Sequence, residues 1–152
     1  MARTKEAVMV DFVRTPFGRG SIERGGFFRD IRSDDLGIIA VQALLKRTRV
    51  DPAAVDDRII GSACQLGEQA AAGRDISLAA GFPFIVPGIT VDRACTSSMS
   101  AAHIEIMAIR LGVADIIIAG GIESSSHFPA PVVTPDTDIM ALSAPDSSAR
   151  WQ

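Results

Sequence analysis

The sequence predicts an α/β protein with a mostly parallel sheet that is covered by helices, followed by an irregular loop region. Strand-like and helix-like runs alternate in the order β-α-β-α-β-α-β, which is typical of parallel strands with helices on both faces. The 47% hydrophobic fraction of this 152-residue chain suits one domain with a substantial core. The alternation stops at Glu123, after which serines and prolines predominate.

Composition excludes several classes of protein. The net charge of −3 leaves no broad basic surface for nucleic acid. The two cysteines are too few for a disulfide scaffold and fit a reducing compartment. The polar first residues lack the apolar core of a signal peptide, and no apolar run approaches the roughly 20 residues of a membrane helix. We therefore expect a cytoplasmic protein with no nucleic-acid or membrane partner.

The first predicted strand is the almost continuous apolar run at residues 7–13, which is typical of a strand covered on both faces. A loop rich in proline and glycine follows at residues 14–28. This loop has neither G-x-G-x-x-G nor a Gly-Lys-Ser/Thr ending, so it is not predicted to hold a nucleotide.

The first predicted helix begins at Ser33, with two aspartates in its first turn. Helical spacing predicts one apolar stripe, formed by Leu36, Ile39, Ala40, Ala43 and Leu44. The basic cluster at the end of this helix is interpreted as a solvated helix terminus; it consists of Lys46, Arg47 and Arg49. A second strand is predicted at 57–63 and a second helix at 68–80, where Gly73 weakens the helix by about 1 kcal/mol relative to alanine.

Cys95 lies between a third predicted strand, 89–91, and a helix that ends near Arg110. Free N–H groups and the helix dipole at such an elbow stabilise a thiolate and favour a nucleophilic cysteine. The alternative is that Cys95 is a small buried hydrophobic residue. Because the helix after it carries few charges, we expect that helix to be buried.

A fourth strand is predicted at 115–121, and we divide the chain into residues 1–123 and 124–152. Cys95 and the turn at 120–123 both follow strand ends, so both are expected at the carboxyl rim of the sheet. Cys64 is interpreted as structural and His103 as a core or interface residue. His127, in the last loop, is either functional or simply solvated or locally bonded. We predict no metal site, because the His103–Glu105 spacing lacks the Pro-Cys-x-x-Cys of zinc deaminases.

Several motifs together resemble those of thiolases, in the same order and at about the same spacing over residues 5–128. They are Val13-Arg14-Thr15-Pro16-Phe17-Gly18, Asp34-Asp35-Leu36, Ile60-Gly61, Val91-Asp92-Arg93-Ala94-Cys95 and Ala119-Gly120-Gly121-Ile122-Glu123-Ser124. The resemblance implies a thiolase-like half-fold in which Cys95 accepts the acyl group. It also implies that coenzyme A and acyl-CoA are substrates and that no cofactor is bound; we assign no residues to coenzyme A.

The resemblance also implies that much of the enzyme lies outside this sequence. Thiolases have two similar halves. The second half carries the acid/base cysteine, the Gly-His-Pro histidine, the Asn-Glu-Ala-Phe asparagine and most of the loop region that binds coenzyme A. Residues 124–152 resemble the start of the loop domain, which precedes the last strand of the first half. We therefore expect a sheet one strand short, and either a homo-oligomer or a second chain that supplies the C-terminal half.

The leading hypothesis is the N-terminal half of a thiolase. It would cleave 3-oxoacyl-CoA, or run the reverse Claisen condensation, through an acyl-Cys95 intermediate. Thr96, Ser97 and Ser98 also resemble the elbow of ketoacyl synthases, although the segment at 14–18 argues against that alternative. A further alternative is a non-catalytic scaffold subunit that keeps the fold for assembly.

Overall fold

The structure of the protein is a computed structural model, in which residues 5–21 and 26–127 are described. Its regular elements are α1 (Ser33–Thr48), β1 (Asp57–Gly61), α2 (Ala72–Ala79), β2 (Ile89–Val91), α3 (Ser97–Arg110) and β3 (Ile117–Gly121), with short 3-10 turns at Pro52–Ala54 and Gly67–Gln69. Within these residues no helix has the length and apolarity needed to cross a membrane.

The three strands form one parallel sheet in the order β2-β1-β3. Ile59 at the middle of β1 lies opposite Ile89 of β2 and Ala119 of β3. Because all three strands point the same way, their carboxyl ends meet at one edge. The parallel sheet predicted from the alternation is confirmed.

Helices cover both faces of this sheet. Ile60 of β1 joins the buried core cluster together with Val41 of α1 and Ile76 of α2. The neighbouring Gly61 faces α3 instead, since a Cβ built on it would lie 2.3 Å from the backbone of Ser97. Successive strand residues point to opposite faces. Thus α1 and α2 pack on one face and α3 on the other, as predicted.

The strand predicted at residues 7–13 is wrong for this structure. The segment has no regular secondary structure, and the side chains of Val10 and Phe12 are 82% and 72% exposed. A continuous apolar run of this length is typical of a strand that is buried on both faces. Burial, however, requires neighbouring strands, and the described residues place none beside this segment.

Polar contacts hold the two ends of this first segment. The Lys5 N–H donates to the carbonyl of Arg110 at the end of α3 (3.2 Å), and its ammonium pairs with Asp115. Farther along, Asp11 forms an ion pair with Arg47 near the end of α1. The basic cluster at that helix end was predicted to be a solvated terminus. The prediction is incomplete, because Arg47 also binds the first segment to the helix through this ion pair.

Helix α1 begins at Ser33 as predicted, but its apolar stripe is displaced. Ile38, Val41 and Leu45 pack in the core, whereas Ile39 is exposed. The periodicity was correct, but several apolar residues flank the core-facing ones, so the pattern alone did not select the buried face. Three members of the predicted stripe, Leu36, Ala40 and Leu44, line a groove instead.

The second helix is shorter than the predicted 68–80. A 3-10 turn at Gly67–Gln69 precedes α2, and Gly73 lies in the first turn of α2. A Cβ on Gly73 would lie 2.0 Å from the carbonyl oxygen of Ile89. This glycine lowers helix propensity, yet it is required because β2 crosses directly against it.

The prediction that α3 is buried holds for one face only. Ala101 and Glu105 face the sheet, whereas Met99 and Met107 are each more than half exposed. His103 is also exposed, so the core interpretation of this histidine is wrong for the chain by itself. Its interpretation as an interface residue stays a prediction. Residues 128–152 lie outside the described part, and the division of the chain at residue 123 likewise stays a prediction.

Candidate active site

Cys95 lies in the turn between β2 and α3, as the sequence predicted. The chain leaves the strand at Val91, reverses direction at Ala94 and enters α3 at Ser97. Ala94 has a φ of 48°, in the left-handed region that non-glycine residues rarely adopt. Cys95 follows it and is exposed. The alternative that Cys95 is a buried hydrophobic residue is therefore wrong.

Ser97 holds the turn in this conformation. Its Oγ accepts a hydrogen bond from the Arg93 N–H (2.8 Å) and donates one to the carbonyl of Ala94 (2.6 Å). The Ser97 side chain therefore bonds to both residues before Cys95, and Ser97 is only 4% exposed. Asp92 adds a third bond by accepting from the Ala94 N–H at 2.7 Å. These bonds offset the unfavourable backbone conformation at Ala94.

Two glycines let the start of α3 lie directly on the sheet. A Cβ on Gly61, the last residue of β1, would lie 2.3 Å from the Ser98 nitrogen. A Cβ on Gly121, the last residue of β3, would lie 2.6 Å from the Ser98 Cβ. Larger residues would push the helix away. The position of Cys95 thus depends on glycine at two strand ends.

Cys95 opens onto a groove of about 780 Å³ at the carboxyl edge of the sheet. The other walls include Phe17 of the first loop, Leu36 of α1 and the residues from Gly121 to Ser126. The prediction that Cys95 and the turn after β3 share one rim is confirmed. Glu123 also ties two strand ends together, since its carboxylate accepts the Ala63 N–H at 2.8 Å.

Cys64 differs from Cys95 in its surroundings. It is buried, and burial followed by the nearby Glu123 carboxylate raises the pKa of the Cys64 thiol. A buried thiol with a raised pKa holds little thiolate at neutral pH and is a poor nucleophile. This agrees with the structural interpretation of Cys64.

Neither histidine of the chain is bonded to Cys95 in the described structure. His103 lies exposed on α3, and both ring nitrogens of His127 are engaged by oxygen atoms of Glu68 and Arg29. His127 is therefore locally bonded, which was one of its predicted alternatives. Among residues 5–21 and 26–127, no cluster of three or more His, Cys, Asp or Glu side chains could hold a metal ion. Within these residues no histidine is bonded to Cys95 in the way that an activating base would be.

A buried carboxyl group lies between α3 and the sheet. Glu105 of α3 is 6% exposed and accepts a hydrogen bond from the Ile59 N–H of β1 at 3.2 Å. Burial raises the pKa of Glu105 to about 8, which the bond from Ile59 opposes. Glu105 thus connects α3 to the centre of the sheet and is mostly protonated at neutral pH.

Sequence reasoning missed the residues that support Cys95 and its groove. Ser97 and Gly61 were noted only as parts of motifs, and Glu68 was given no role of its own. The available signal for Ser97 was a short hydroxyl side chain at the start of a helix, where such residues bond to nearby main chain. No comparable signal exists for Gly61, because its contact with Ser98 joins distant parts of the chain.

An exposed cysteine at a strand-to-helix turn, on the carboxyl edge of a parallel sheet, is an arrangement that α/β enzymes use for nucleophilic catalysis. Comparison with known proteins identifies the family within that class. Residues 7–146 match the family model described as thiolase, N-terminal domain. The chain belongs to the thiolase family, and it carries the N-terminal part of the fold.

Individual relatives agree with this assignment. The chain is 43% identical over 148 residues to a steroid 3-ketoacyl-CoA thiolase of Mycobacterium tuberculosis, covering 96% of this chain and 35% of the relative. It is 46% identical over 127 residues to a beta-ketoadipyl-CoA thiolase of Acinetobacter baylyi, covering 82% and 31%. The crystal structure of the Bacillus anthracis acetyl-CoA acetyltransferase matches with a TM-score of 0.79 and 32% identity, covering 90% of this chain and 34% of that one. The chain therefore spans about a third of the length of these proteins.

Proposed function

We propose that this chain supplies the nucleophile of a thiolase, which cleaves 3-oxoacyl-CoA with coenzyme A or runs the reverse Claisen condensation. The observation that carries this proposal is the exposed Cys95, held at the start of α3 and open to the groove. Membership of the thiolase family favours this chemistry over that of a ketoacyl synthase. Coenzyme A and its thioesters would enter as substrates, and no residue of the chain is assigned to a bound cofactor.

In this reaction the Cys95 thiolate attacks the 3-oxo carbon of the substrate, and the bond between C2 and C3 breaks. The electron pair remains on C2, which takes up a proton as acetyl-CoA leaves. The thiol of a second coenzyme A then attacks the acyl-Cys95 thioester and releases the Cys95 thiolate. The first helical turn of α3 favours negative charge close to the sulfur.

The same reaction needs groups that the described residues do not provide. A base must deprotonate the attacking thiol, a second must handle the proton at C2, and donors must stabilise the oxyanions. We propose that a partner carrying the C-terminal part of the thiolase fold supplies them, and that the chain works in a homo-oligomer or with such a second chain. A cytoplasmic location is part of the same proposal, supported by two cysteines that are both free.

Exposed apolar surface supports the need for a partner. Val10 and Phe12 of the first segment and Met99 and Met107 of α3 are all more than half exposed. In addition, β3 pairs only with β1 within the described part of the chain, so its outer edge is open. Unpaired edges and large apolar patches favour association.

Selective alkylation tests the role of Cys95. We expect iodoacetamide at neutral pH to modify Cys95 much faster than Cys64, as measured by peptide mass spectrometry over time. The Cys95→Ala and Cys64→Ala variants are matched controls, since each leaves one thiol. Equal and slow labelling of both cysteines would contradict the proposal and favour a non-catalytic scaffold.

Reconstitution tests the reaction itself. The chain is mixed with the segment of the Mycobacterium tuberculosis relative that this chain does not match, and cleavage of acetoacetyl-CoA by coenzyme A is followed. We expect activity only in the mixture, with loss in Cys95→Ala and retention in Cys64→Ala. If the two polypeptides co-purify but Cys95→Ala remains as active as the wild type, Cys95 is not the nucleophile.

A further inference from the structure

A second cluster of polar side chains lies behind one wall of the groove. Glu68 Oε1 accepts hydrogen bonds from the Ser33 N–H (2.6 Å) and the Ser33 hydroxyl (2.8 Å). The same oxygen lies 2.8 Å from His127 Nδ1. The other ring nitrogen of His127, Nε2, lies 2.5 Å from the carbonyl oxygen of Arg29. Three segments of the chain therefore meet at one imidazole, and Ser33 joins them through Glu68.

This geometry determines the protonation of the ring. A carbonyl oxygen only accepts hydrogen bonds, and so does an ionised carboxylate. Both nitrogens of His127 must then donate, which requires the doubly protonated imidazolium. The bond to the Arg29 carbonyl, followed by the bond to Glu68, raises the pKa of His127. Burial would raise the pKa of Glu68, but the bonds from Ser33 and His127 outweigh it and lower that pKa.

The segments joined by His127 form part of the groove wall. The groove is lined by Phe28, by Ser33 and by the serines at 124–126. Phe28 is next to Arg29 in the chain, and the serines directly precede His127. The Ser21 N–H donates to the Ser126 hydroxyl at 3.3 Å, and the Phe27 N–H donates to the carbonyl of Arg19 at 3.1 Å. These contacts pack residues 19–21, the turn at residues 26–30 and the turn after β3 against one another as one wall of the groove.

We propose that doubly protonated His127 is a positioning residue that holds this wall of the Cys95 groove, and that the wall is released when rising pH removes one proton from the ring. The residue acts through Glu68, Ser33 and Arg29 and touches neither Cys95 nor a reacting atom. The proposal concerns the groove in the absence of substrate, so it goes beyond the proposed acyl transfer and does not depend on it.

The other charges around the imidazole leave this assignment intact. Arg32, which precedes α1, opposes the positive ring, but its guanidinium pairs with Asp34 at 2.7 Å. The Arg29 side chain pairs with Asp30 at 3.5 Å, and it is the Arg29 carbonyl that bonds to the ring. On the strand side, Glu123 is occupied by the Ala63 N–H. Glu68 is thus the carboxylate that bonds to His127.

The direction of the pH effect follows from the raised pKa. A group with a folded-state pKa above its unfolded value contributes stability that is fully present below the unfolded value, near 6.5 for histidine. That contribution is lost as pH rises through the folded-state pKa. The wall is therefore held at mildly acidic pH and released above the titration of His127.

Titration by NMR provides the first test. The His103→Gln variant of the full chain leaves His127 as its one imidazole, because the sequence has two histidines. We expect both ring nitrogens to be protonated at pH 6 and the titration midpoint to lie above about 6.5. A singly protonated ring at pH 6, or a midpoint at or below that value, would overturn the proposal.

Hydrogen exchange of the same full chain tests the release of the wall. After correction for intrinsic exchange, protection of the Phe27 and Arg29 amides should fall about tenfold across the titration, the size expected for losing a hydrogen bond to a charged group. The amide of Val113, bonded to the carbonyl of Ala108, is the control and should stay protected. Unchanged protection of Phe27 and Arg29, or parallel loss at Val113, would overturn the proposal.

The rate of Cys95 alkylation connects the wall to the groove. At each pH, the rate of Cys95 alkylation in His127→Gln is divided by the rate in the wild type, so that the effect of thiol ionisation, which is common to both proteins, cancels. We expect this ratio to differ from one below the titration and to approach one above it, with Glu68→Gln behaving similarly. A ratio that is constant with pH would overturn the proposal, whether or not Cys95 carries out acyl transfer. Should His127→Gln fail to fold, the two preceding measurements still decide.

Discussion

The hydroxyl of Ser97 lies 2.8 Å from the main-chain nitrogen of Arg93 and accepts its hydrogen bond across the turn that contains Cys95. Ser97 is the first residue of α3, whereas Arg93 lies in the turn that follows β2. One side chain therefore links the strand to the helix and keeps Cys95 on the outer side of the turn. Cys95 is positioned by its neighbours, and these neighbours can be tested one by one.

Replacing Ser97 with alanine should loosen the turn. The Arg93 N–H and the Ala94 carbonyl both lose their partner, so we expect a destabilisation of about 1 kcal/mol and alkylation of Cys95 that is slower by about fivefold. Denaturant unfolding and peptide mass spectrometry measure the two effects. Ser98→Ala is the matched control, because Ser98 is exposed and alanine keeps its Cβ. Equal effects of both substitutions would show that the hydroxyl of Ser97 is unimportant.

Replacing Gly61 with alanine should displace α3 from the sheet. The new Cβ would meet the backbone of Ser97 and Ser98 at 2.3 Å, and backbone atoms cannot move aside as a flexible side chain can. We expect a destabilisation of roughly 1–3 kcal/mol in denaturant unfolding. Gly120→Ala is the control, since its Cβ would lie 3.4 Å from the Cδ1 of Ile60 and should be tolerated. A loss in Gly120→Ala as large as that in Gly61→Ala would contradict this explanation.

The buried Glu105 should make stability fall with increasing pH. Burial raises the pKa of Glu105 to about 8, so its contribution is fully present below its unfolded pKa, near 4.3, and is lost as pH rises through about 8. Glu105→Gln keeps an acceptor for the Ile59 N–H and should flatten this dependence. Denaturant unfolding between pH 5 and pH 9 measures it, with an expected wild-type loss on the order of a few kcal/mol. An identical pH dependence in both proteins would assign the effect to other groups.

The ion pair between Arg47 and Asp11 should hold the first segment to α1. The bond from Arg47, followed by that from the Phe12 N–H, lowers the pKa of the half-buried Asp11. We expect Arg47→Gln to speed hydrogen exchange and proteolysis at residues 7–13 while leaving α1 intact. Lys46→Gln removes a neighbouring exposed charge and is the control. Since the pKa of Asp11 is lowered, the same release should occur in wild type as pH falls through that pKa. Unchanged exchange in Arg47→Gln would contradict the role of this pair.

The sequence predicted the features that depend on local pattern. The alternation of runs indicated the parallel sheet, and Ser33 marked the start of α1. Cys95 was placed correctly at an elbow because a short extended run, small residues and a helical run follow one another directly. Such signals arise within a few residues, so a single sequence contains them.

Long-range contacts explain the predictions that failed. Residues 7–13 have the composition of a buried strand, but no strand lies beside them in the described structure. The stripe on α1 was displaced because packing selected Ile38 and Val41 over Ile39. Gly73 lowers helix propensity, yet the crossing of Ile89 requires it. In each case the deciding atoms belong to a distant part of the chain.

By itself the sequence determined the class of fold, the position of the nucleophile candidate and the family resemblance, because each depends on residue types in order along the chain. Only the tertiary structure decided how Cys95 is presented. It brought Gly61 and Gly121 beneath Ser98, and it surrounded the ring of His127 with oxygen acceptors from Glu68 and Arg29. Close approach and the protonation that it enforces depend on distances in space, and spacing along the chain does not encode those distances.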